Sequence, residues 1–252
     1  MKTAIVTGAG RNQGIGAEIC RQLSRKGLDI FFTTFDVYDS MSGISDKDYE
    51  KTLFECRSLG TNIFFRPFDL TLQENIISLF DEAEKLIGNI DILVNCICFH
   101  RFDDIDSVSA ESLDMNFQVN VKSIALLCKE FYHRFSGTNG RVVNLSSTQN
   151  LEPLTTEVSY AFSKAVIPVI VSTWAPVMAT KYITINAINP GAIEIGEKVD
   201  INTDKYIKNN LFGRLGSTVD VGNIVSFLVS EEGGWITGQT INSEGGLFRG
   251  IR

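Results

Sequence analysis

The stretch Thr3-Ala4-Ile5-Val6-Thr7-Gly8-Ala9-Gly10-Arg11-Asn12-Gln13-Gly14-Ile15-Gly16 decides how the chain is read. A short apolar run leads straight into a glycine-rich turn, and the turn leads into a helical pattern carried by Ile15, Ile19 and Leu23 at four-residue spacing. Strand, glycine turn and helix start are together what a pyrophosphate needs. Gly8, Gly10, Gly14 and Gly16 let the backbone approach closely, and the free N–H groups of the helix's first turn, at Ile15 and Gly16, face the anion. Glycine clusters alone often serve only turn geometry; this one sits in the first βα turn, where parallel sheets bind dinucleotides.

Outward from this stretch, short apolar runs alternate with longer segments of helical period to the end of the chain, without a Pro/Ser linker or internal repeat. Strands are predicted at Thr3–Thr7, Asp29–Thr34, Asn62–Arg66, Ile90–Cys96, Arg141–Ser146, Thr184–Ile188 and Gln239–Asn242. Several lack polar alternation, as strands covered on both faces do. The expected fold is α/β: one doubly wound, Rossmann-type parallel sheet of seven strands with helices on both faces, spanning residues 1–252 as a single domain. Core stripes are predicted along Ile15, Ile19 and Leu23, along Phe117, Val121, Ile124, Cys128, Phe131 and Phe135, and along Val221, Ile224, Val225 and Leu228. The polar segment Tyr38 to Asp48 should loop out after the second strand, and the weakly patterned stretch about residues 194–212 is a candidate mobile lid over a substrate.

Composition excludes several classes of function. With 23 Lys+Arg against 30 Asp+Glu the net charge is −7, which argues against a nucleic-acid partner. The 5 cysteines are odd in number, only Ala4–Val6 precedes the glycines, and no run approaches the ~20 apolar residues of a membrane span. A reduced, cytoplasmic protein without a membrane partner is expected. Cys96 and Cys98 have no companion pair at metal-ligand spacing, and the only histidines are His100 and His133, so no metal site is predicted.

A second constellation lies in the later half. Tyr160-Ala161-Phe162-Ser163-Lys164 opens a long helical stretch, so the (i, i+4) pair projects a phenol and an ammonium from one face. A cation beside a phenol lowers its pKa from the free value of ~10. Such pairs are usually just wet surface. Here, however, the fifth strand ends in Asn144-Leu145-Ser146-Ser147, which brings Ser147 to the carboxyl end of the sheet, where ligands bind.

With these residues in place the chain resembles the short-chain dehydrogenase/reductase family over essentially its whole length, in a form similar to bacterial 3-oxoacyl-acyl-carrier-protein reductases. The resemblance rests on Thr7-Gly8, Asp69-Leu70, Asn120, Ser147 with Tyr160 and Lys164, Asn189-Pro190-Gly191, Gly213-Arg214-Leu215-Gly216, Trp235-Ile236-Thr237-Gly238-Gln239 and Glu244-Gly245-Gly246. It implies a nicotinamide cofactor held by the glycine loop with Arg11, by Asp69 and Leu70 at the adenine, by Asn95, by Tyr160 and Lys164 at the nicotinamide ribose, and by Pro190, Gly191 and Ile193. It further implies that Ser147 holds the substrate oxygen, Tyr160 transfers the proton, Lys164 lowers the tyrosine pKa and Asn120 holds a relay water. The implied reaction is hydride transfer between the cofactor and a carbonyl or alcohol, on a small molecule or an acyl thioester, in a homodimer or homotetramer. The second strand ends in Thr33-Thr34 without the usual acid, and Arg11 is available to a 2′-phosphate, so NADP(H) is favoured over NAD(H). The alternative turns Asp36 toward the ribose.

Four departures qualify that reading. Five residues separate Gly8 from Gly14 where the family has three, a length closer to enoyl-thioester reductases, although the Tyr160–Lys164 spacing is not theirs. The usual Asn-Asn-Ala-Gly after the fourth strand is Asn95-Cys96-Ile97-Cys98, whose bulk would cost backbone movement or cofactor affinity. This opens the alternative of a weakly active cofactor-sensing or scaffold protein. Ile195 stands where a carboxamide-binding threonine is common. Pro168 and Pro176 fall inside the helix that begins near Tyr160, which should kink or end early and disturb a dimer contact. For an acidic carrier protein the candidate docking cations are only Arg134, Arg141 and Lys181.

Overall fold

A computed structural model describes residues 2–35, 47–196 and 203–249. The strands of the main sheet are β1 (Thr3–Thr7), β2 (Asp29–Thr34), β3 (Ile63–Pro67), β4 (Ile92–Asn95), β5 (Gly140–Leu145), β6 (Ile183–Asn189) and, after a small pair β7 (Ile193–Glu194) and β8 (Gly216–Ser217), β9 (Thr240–Asn242). Their spatial order is β3-β2-β1-β4-β5-β6-β9, and every neighbouring pair is parallel. All seven predicted strands are present. The order reverses between β1 and β4, and the crevice at their carboxyl ends is where such sheets take a ligand.

Both faces of the sheet are covered, which is why its strands lack polar alternation. Register puts Ile5 beside Phe31 and Leu93, Leu93 beside Val142, and Val142 beside Ile185, one apolar row on one face. That row packs against α3 (Gln73–Ile87), α5 (Ile124–Arg134) and α7 (Ile167–Ala179). One residue along, Val6, Phe32, Val94 and Val143 face the other way, toward α1 (Ile15–Arg25), α2 (Tyr49–Ser58) and α9 (Thr218–Leu228). Two further helices, α4 (Ala110–Phe117) and α6 (Val158–Ala165), lie near the carboxyl ends, and α8 (Thr203–Asn209) occupies part of the candidate lid. There Lys205 pairs with Glu152 at 2.8 Å. Residues 197–202 of that segment, and Asp36 with most of the Tyr38–Asp48 loop, lie outside the described residues.

Several expectations need correction. The fourth strand stops at Asn95 rather than Cys96, because the next two N–H groups, of Cys96 and Ile97, both donate to the Thr7 hydroxyl at 3.2 Å instead of to a strand. Phe117, placed in the core stripe, is 39% exposed, whereas Ile124, Cys128 and Phe131 are buried. Between them Gln118–Ser123 is wound as a π-helix, and its wider turn rotates the residues of α4 out of phase with those of α5. Ile15 is only half-buried, since it turns to the crevice.

Pro168 breaks its helix as expected: α6 ends at Ala165 and α7 begins at Ile167 with the proline in its first turn. The missing N–H leaves the carbonyl of Lys164 without its helical donor, and the Ser146 hydroxyl reaches it at 3.4 Å. Pro176 is tolerated inside α7. Together Val158–Ala179 is long and apolar enough to cross a membrane by length and composition, contrary to the reading that no run comes close. In this fold it packs on β6 and carries the buried Lys164.

Candidate active site

The nucleotide side of the crevice is made of backbone. Gly8 adopts φ +72°, and a Cβ there would lie 2.7 Å from the Ile97 Cα. At Gly16 a Cβ would lie 2.5 Å from the Gly8 carbonyl oxygen. Thr33 holds the loop down, accepting from Gly8 N–H at its hydroxyl (3.2 Å) and from Ala9 N–H at its carbonyl (2.9 Å). Gly14 caps α1 without a side-chain acceptor for its first-turn N–H groups. A cradle that any side chain would fill, ending at uncapped donors, fits a pyrophosphate.

Within the longer loop, Asn12 does not obstruct it. Asn12 is drawn away from the crevice: its N–H donates to Asp48 at 2.6 Å, and its side-chain oxygen accepts from Thr52 at 3.3 Å and from Arg21. Nor does Ile97. Its side chain is 1% exposed and joins the core cluster around Ile5 and Leu93, while Cys96, Ile97 and Cys98 still line the crevice and the Ile97 Cα backs onto Gly8. Burial pushes the Cys96 thiol up to about 12.

The crevice, about 320 Å³ in volume, brings together Gly8, Arg11, Gly14, Ile15, Gly16, Ser147, Tyr160, Gly191 and Ile193 from the predicted set. Others sit elsewhere. Gly10 is buried in the loop behind the lining. Asp69 accepts from the Thr71 hydroxyl at 2.6 Å, and Leu70 is buried in the core. Asn95 donates to the Asn144 side chain at 2.8 Å within the sheet, and Pro190 is buried behind the lining residue Gly191. Gly191 itself has φ +77°, where a Cβ would lie 2.8 Å from that of Glu244.

On the other side, chemistry comes from side chains. Tyr160 is the third residue of α6 and hydrogen-bonds Ser147, which stands just past the end of β5. Lys164 is placed one turn later, 1% exposed, with Nζ donating to the Leu145 carbonyl at 2.9 Å and lying 5.9 Å from the Tyr160 ring centroid. The phenol does not carry the lowered pKa expected of it. Burial pushes it well above the ordinary tyrosine value, Cys98 and Glu157 push the same way, and the Ser147 bond opposes them. Lys164 gives one of its N–H donors to the Leu145 carbonyl, and Tyr160 is poised to donate a proton.

Asn120 lies in the π-helical segment with its side chain fully engaged. It accepts from Phe99 N–H at 2.8 Å, and its amide NH2 lies within hydrogen-bond distance of the Phe99 carbonyl (2.8 Å), the Asn116 side-chain oxygen (3.1 Å) and the Ser163 hydroxyl (2.9 Å), which share its two N–H donors. Thus it clamps the chain after β4 to α6. Asn116 adds a tie from α4 to α6, donating to the Ser159 hydroxyl at 2.8 Å.

Residues that sequence reasoning missed also line the crevice: His100, Leu154, Glu157 and Tyr206, beside Cys98, which the sequence already sets near the cofactor. Cys98 shares a hydrogen bond with Tyr160, and His100 stands edge-on to the Tyr160 ring at 4.9 Å. They come from separate segments with no spacing signature; the position of Glu157 one helical turn before Tyr160 is the one available signal.

Known proteins share this sequence pattern and fold. The family model described as Enoyl-(Acyl carrier protein) reductase matches residues 8–248. The oxidoreductase YjdA of Bacillus subtilis (strain 168) is 34% identical over 99% of this chain and 98% of its own. Tetrahydroxynaphthalene reductase of Pyricularia oryzae is 28% identical over 97% and 89%. A solved 7α-hydroxysteroid dehydrogenase, complexed with NADH and 7-oxo glycochenodeoxycholic acid, superposes with a TM-score of 0.87 at 26% identity, covering 100% of this chain and 96% of that one. The chain belongs to the short-chain dehydrogenase/reductase family, a family of NAD(P)-dependent oxidoreductases.

Proposed function

We propose that this protein is a carbonyl reductase, working with NADP(H) in preference to NAD(H), in which Ser147, Tyr160 and Lys164 perform the acid–base chemistry. One observation carries the reading: a half-buried phenol, its pKa pushed up, sits between the Ser147 hydroxyl and the Lys164 turn at the mouth of a side-chain-free anion cradle. A bound reduced nicotinamide supplies the hydride. Ser147 and Tyr160 then receive the carbonyl oxygen, and as negative charge grows there the phenol gives up its proton. Lys164, anchored on the Leu145 carbonyl, offers its remaining N–H donors to the cofactor ribose and stabilises the phenolate left behind. Asn120 keeps Phe99 and α6 in register; a relay water would rest on the backbone of its π-helical turn, because its side chain is committed.

The preference for NADP(H) is supported by Arg11 at the crevice and by a second strand whose last residues, Thr33 and Thr34, are buried and carry no charge. A free small molecule suits the surface better than a carrier-bound acyl group. Arg134 is tied to Asp81, Glu84 and Glu130, Arg141 is buried, and Lys181 donates to the Tyr132 carbonyl at 2.7 Å, which leaves these cations engaged inside the protein. Reduction of an enoyl thioester is disfavoured by the one-turn Tyr160–Lys164 spacing, and a scaffold role by the packing of the Ile97 side chain into the core cluster around Ile5 and Leu93. Exposed Phe162 and Val169 on the outer face of Val158–Ala179 support a homodimer or homotetramer.

Fluorescence titration with NADPH and NADH, together with turnover of a panel of ketones and acetoacetyl thioesters, tests this. The expected result is NADPH binding at least about tenfold tighter than NADH, a difference of ~1.4 kcal/mol, with reduction of ketones. Binding of neither nucleotide at millimolar concentration contradicts the enzyme reading, and tighter NADH contradicts the cofactor preference alone.

A further inference from the structure

The chain after β4 carries a thiol at a position where the usual motif has no side chain. In Asn95-Cys96-Ile97-Cys98 the fourth place, glycine in Asn-Asn-Ala-Gly, is Cys98, and it lines the crevice beside Tyr160. Its backbone is fixed on both sides. The N–H groups of Cys96 and Ile97 donate to the Thr7 hydroxyl at 3.2 Å, and both backbone groups of Phe99 bond the Asn120 side chain at 2.8 Å. Asn120 also reaches Ser163 of α6 at 2.9 Å, so Cys98 keeps one place relative to the helix that carries Tyr160.

The bonding of the sulfur defines its part toward the phenol. A thiol has one hydrogen, and Cys98 donates it to the Phe99 carbonyl, 3.6 Å from Sγ. What Cys98 offers in its hydrogen bond with Tyr160 is therefore a sulfur lone pair, and the phenol O–H donates. The directions of the pKa shifts agree. The Cys98 bond pushes the phenol up, as a bond made by the protonated form does, and the Ser147 bond pulls it down, as donation to the phenol oxygen does. Sulfur is a weak acceptor, so a carbonyl oxygen arriving in the crevice displaces it at little cost.

We infer that Cys98 is a positioning residue for proton transfer: its sulfur holds the Tyr160 O–H between turnovers and yields it to the substrate oxygen. The inference rests on the carbonyl-reductase reading of the same site and adds a residue to its handling of the proton. The Tyr160 O–H bond breaks as one forms on the substrate oxygen, a solvent proton restores the phenol, and Cys98 keeps its own hydrogen throughout. Reduction consumes that proton, so activity is present below the phenol's pKa and falls as pH rises through it; a residue that favours the protonated phenol extends activity to higher pH. The other ionisable groups around the phenol are Lys164 and Glu157 of α6, Cys96 and His100 beside Cys98, and Tyr206 of α8. All of them persist in variants at position 98.

The test reads Tyr160 without nucleotide or substrate. Ultraviolet spectra of the parent, Cys98→Ala and Cys98→Ser, each taken against the same chain with Tyr160→Phe, isolate the ionisation of this phenol. Cys98→Ala removes the acceptor, and the ratio of phenolate to phenol at a fixed pH of ~10.5 rises at least about threefold, half a pH unit. Cys98→Ser keeps an acceptor without a thiolate's charge, and its ratio stays nearer the parent than that of Cys98→Ala. A smaller rise in Cys98→Ala, or a Cys98→Ser ratio no nearer the parent, overturns the inference. Hydride transfer is read separately: its alkaline fall moves to lower pH in Cys98→Ala, and a fall that stays in place while the ratio changes also overturns it. A changed ratio in a protein that reduces no ketone would count against the carbonyl-reductase reading and leave the placement of the proton standing, and an unchanged ratio in an active reductase does the reverse.

Discussion

The two halves of the crevice are built by different means. On the nucleotide side, Gly8 and Gly16 bring bare backbone within a distance that one added carbon would violate, and the donors are main-chain N–H groups. On the substrate side the chemistry sits on side chains, Ser147, Tyr160, His100 and Glu157, held by buried polar bonds that run through Asn116, Asn120 and Asp103. A backbone site tolerates no added atom and serves a ligand common to many proteins. A side-chain site can be re-specified residue by residue while its scaffold persists.

The contrast breaks most readily at Gly16. Replacing it by Ala puts a methyl against the Gly8 carbonyl, and nucleotide affinity should fall by about a hundredfold, ~2.7 kcal/mol, in a fluorescence titration. Unchanged affinity would mean that the cradle is not where the pyrophosphate lies. On the other side, Asn120→Leu strips partners from both Phe99 backbone groups and from Ser163, and should cost about 3 kcal/mol in urea unfolding while leaving the glycine loop intact. A loss below about 1 kcal/mol would show that the clamp is not what joins the two segments.

A smaller effect sharpens the comparison. Because burial raises the Tyr160 pKa, its proton is retained to higher pH than that of an exposed tyrosine. The ultraviolet difference between parent and Tyr160→Phe should show little phenolate at pH ~10, where a free tyrosine is half ionised. Half-ionisation near pH ~8 would restore the lysine-lowered phenol expected from spacing alone.

Legibility in the sequence divides along the same line. Strands covered on both faces show as unbroken apolar runs, and all seven can be read from them; the glycine loop is visible because backbone chemistry needs a fixed residue type at a fixed place. The Ser147, Tyr160 and Lys164 cluster is visible from helical spacing joined to a strand end. Periodicity misplaces Phe117 because a π-helical turn changes phase without a residue signature. His100, Glu157 and Tyr206 converge from distant segments, so only the folded chain brings them together. The direction of the Tyr160 shift escapes the sequence because spacing supplies the cation but not the degree of burial.

The central claim is that Tyr160 delivers the proton while a separate, backbone-built half holds the nucleotide. The most direct measurement is stopped-flow hydride transfer from NADPH to an accepted ketone in Tyr160→Phe, alongside nucleotide titration of the same variant. Nucleotide affinity should stay within about threefold of the parent while the transfer rate drops by about a thousandfold, within the range for loss of a positioned acid. Transfer within about tenfold of the parent rate would contradict it.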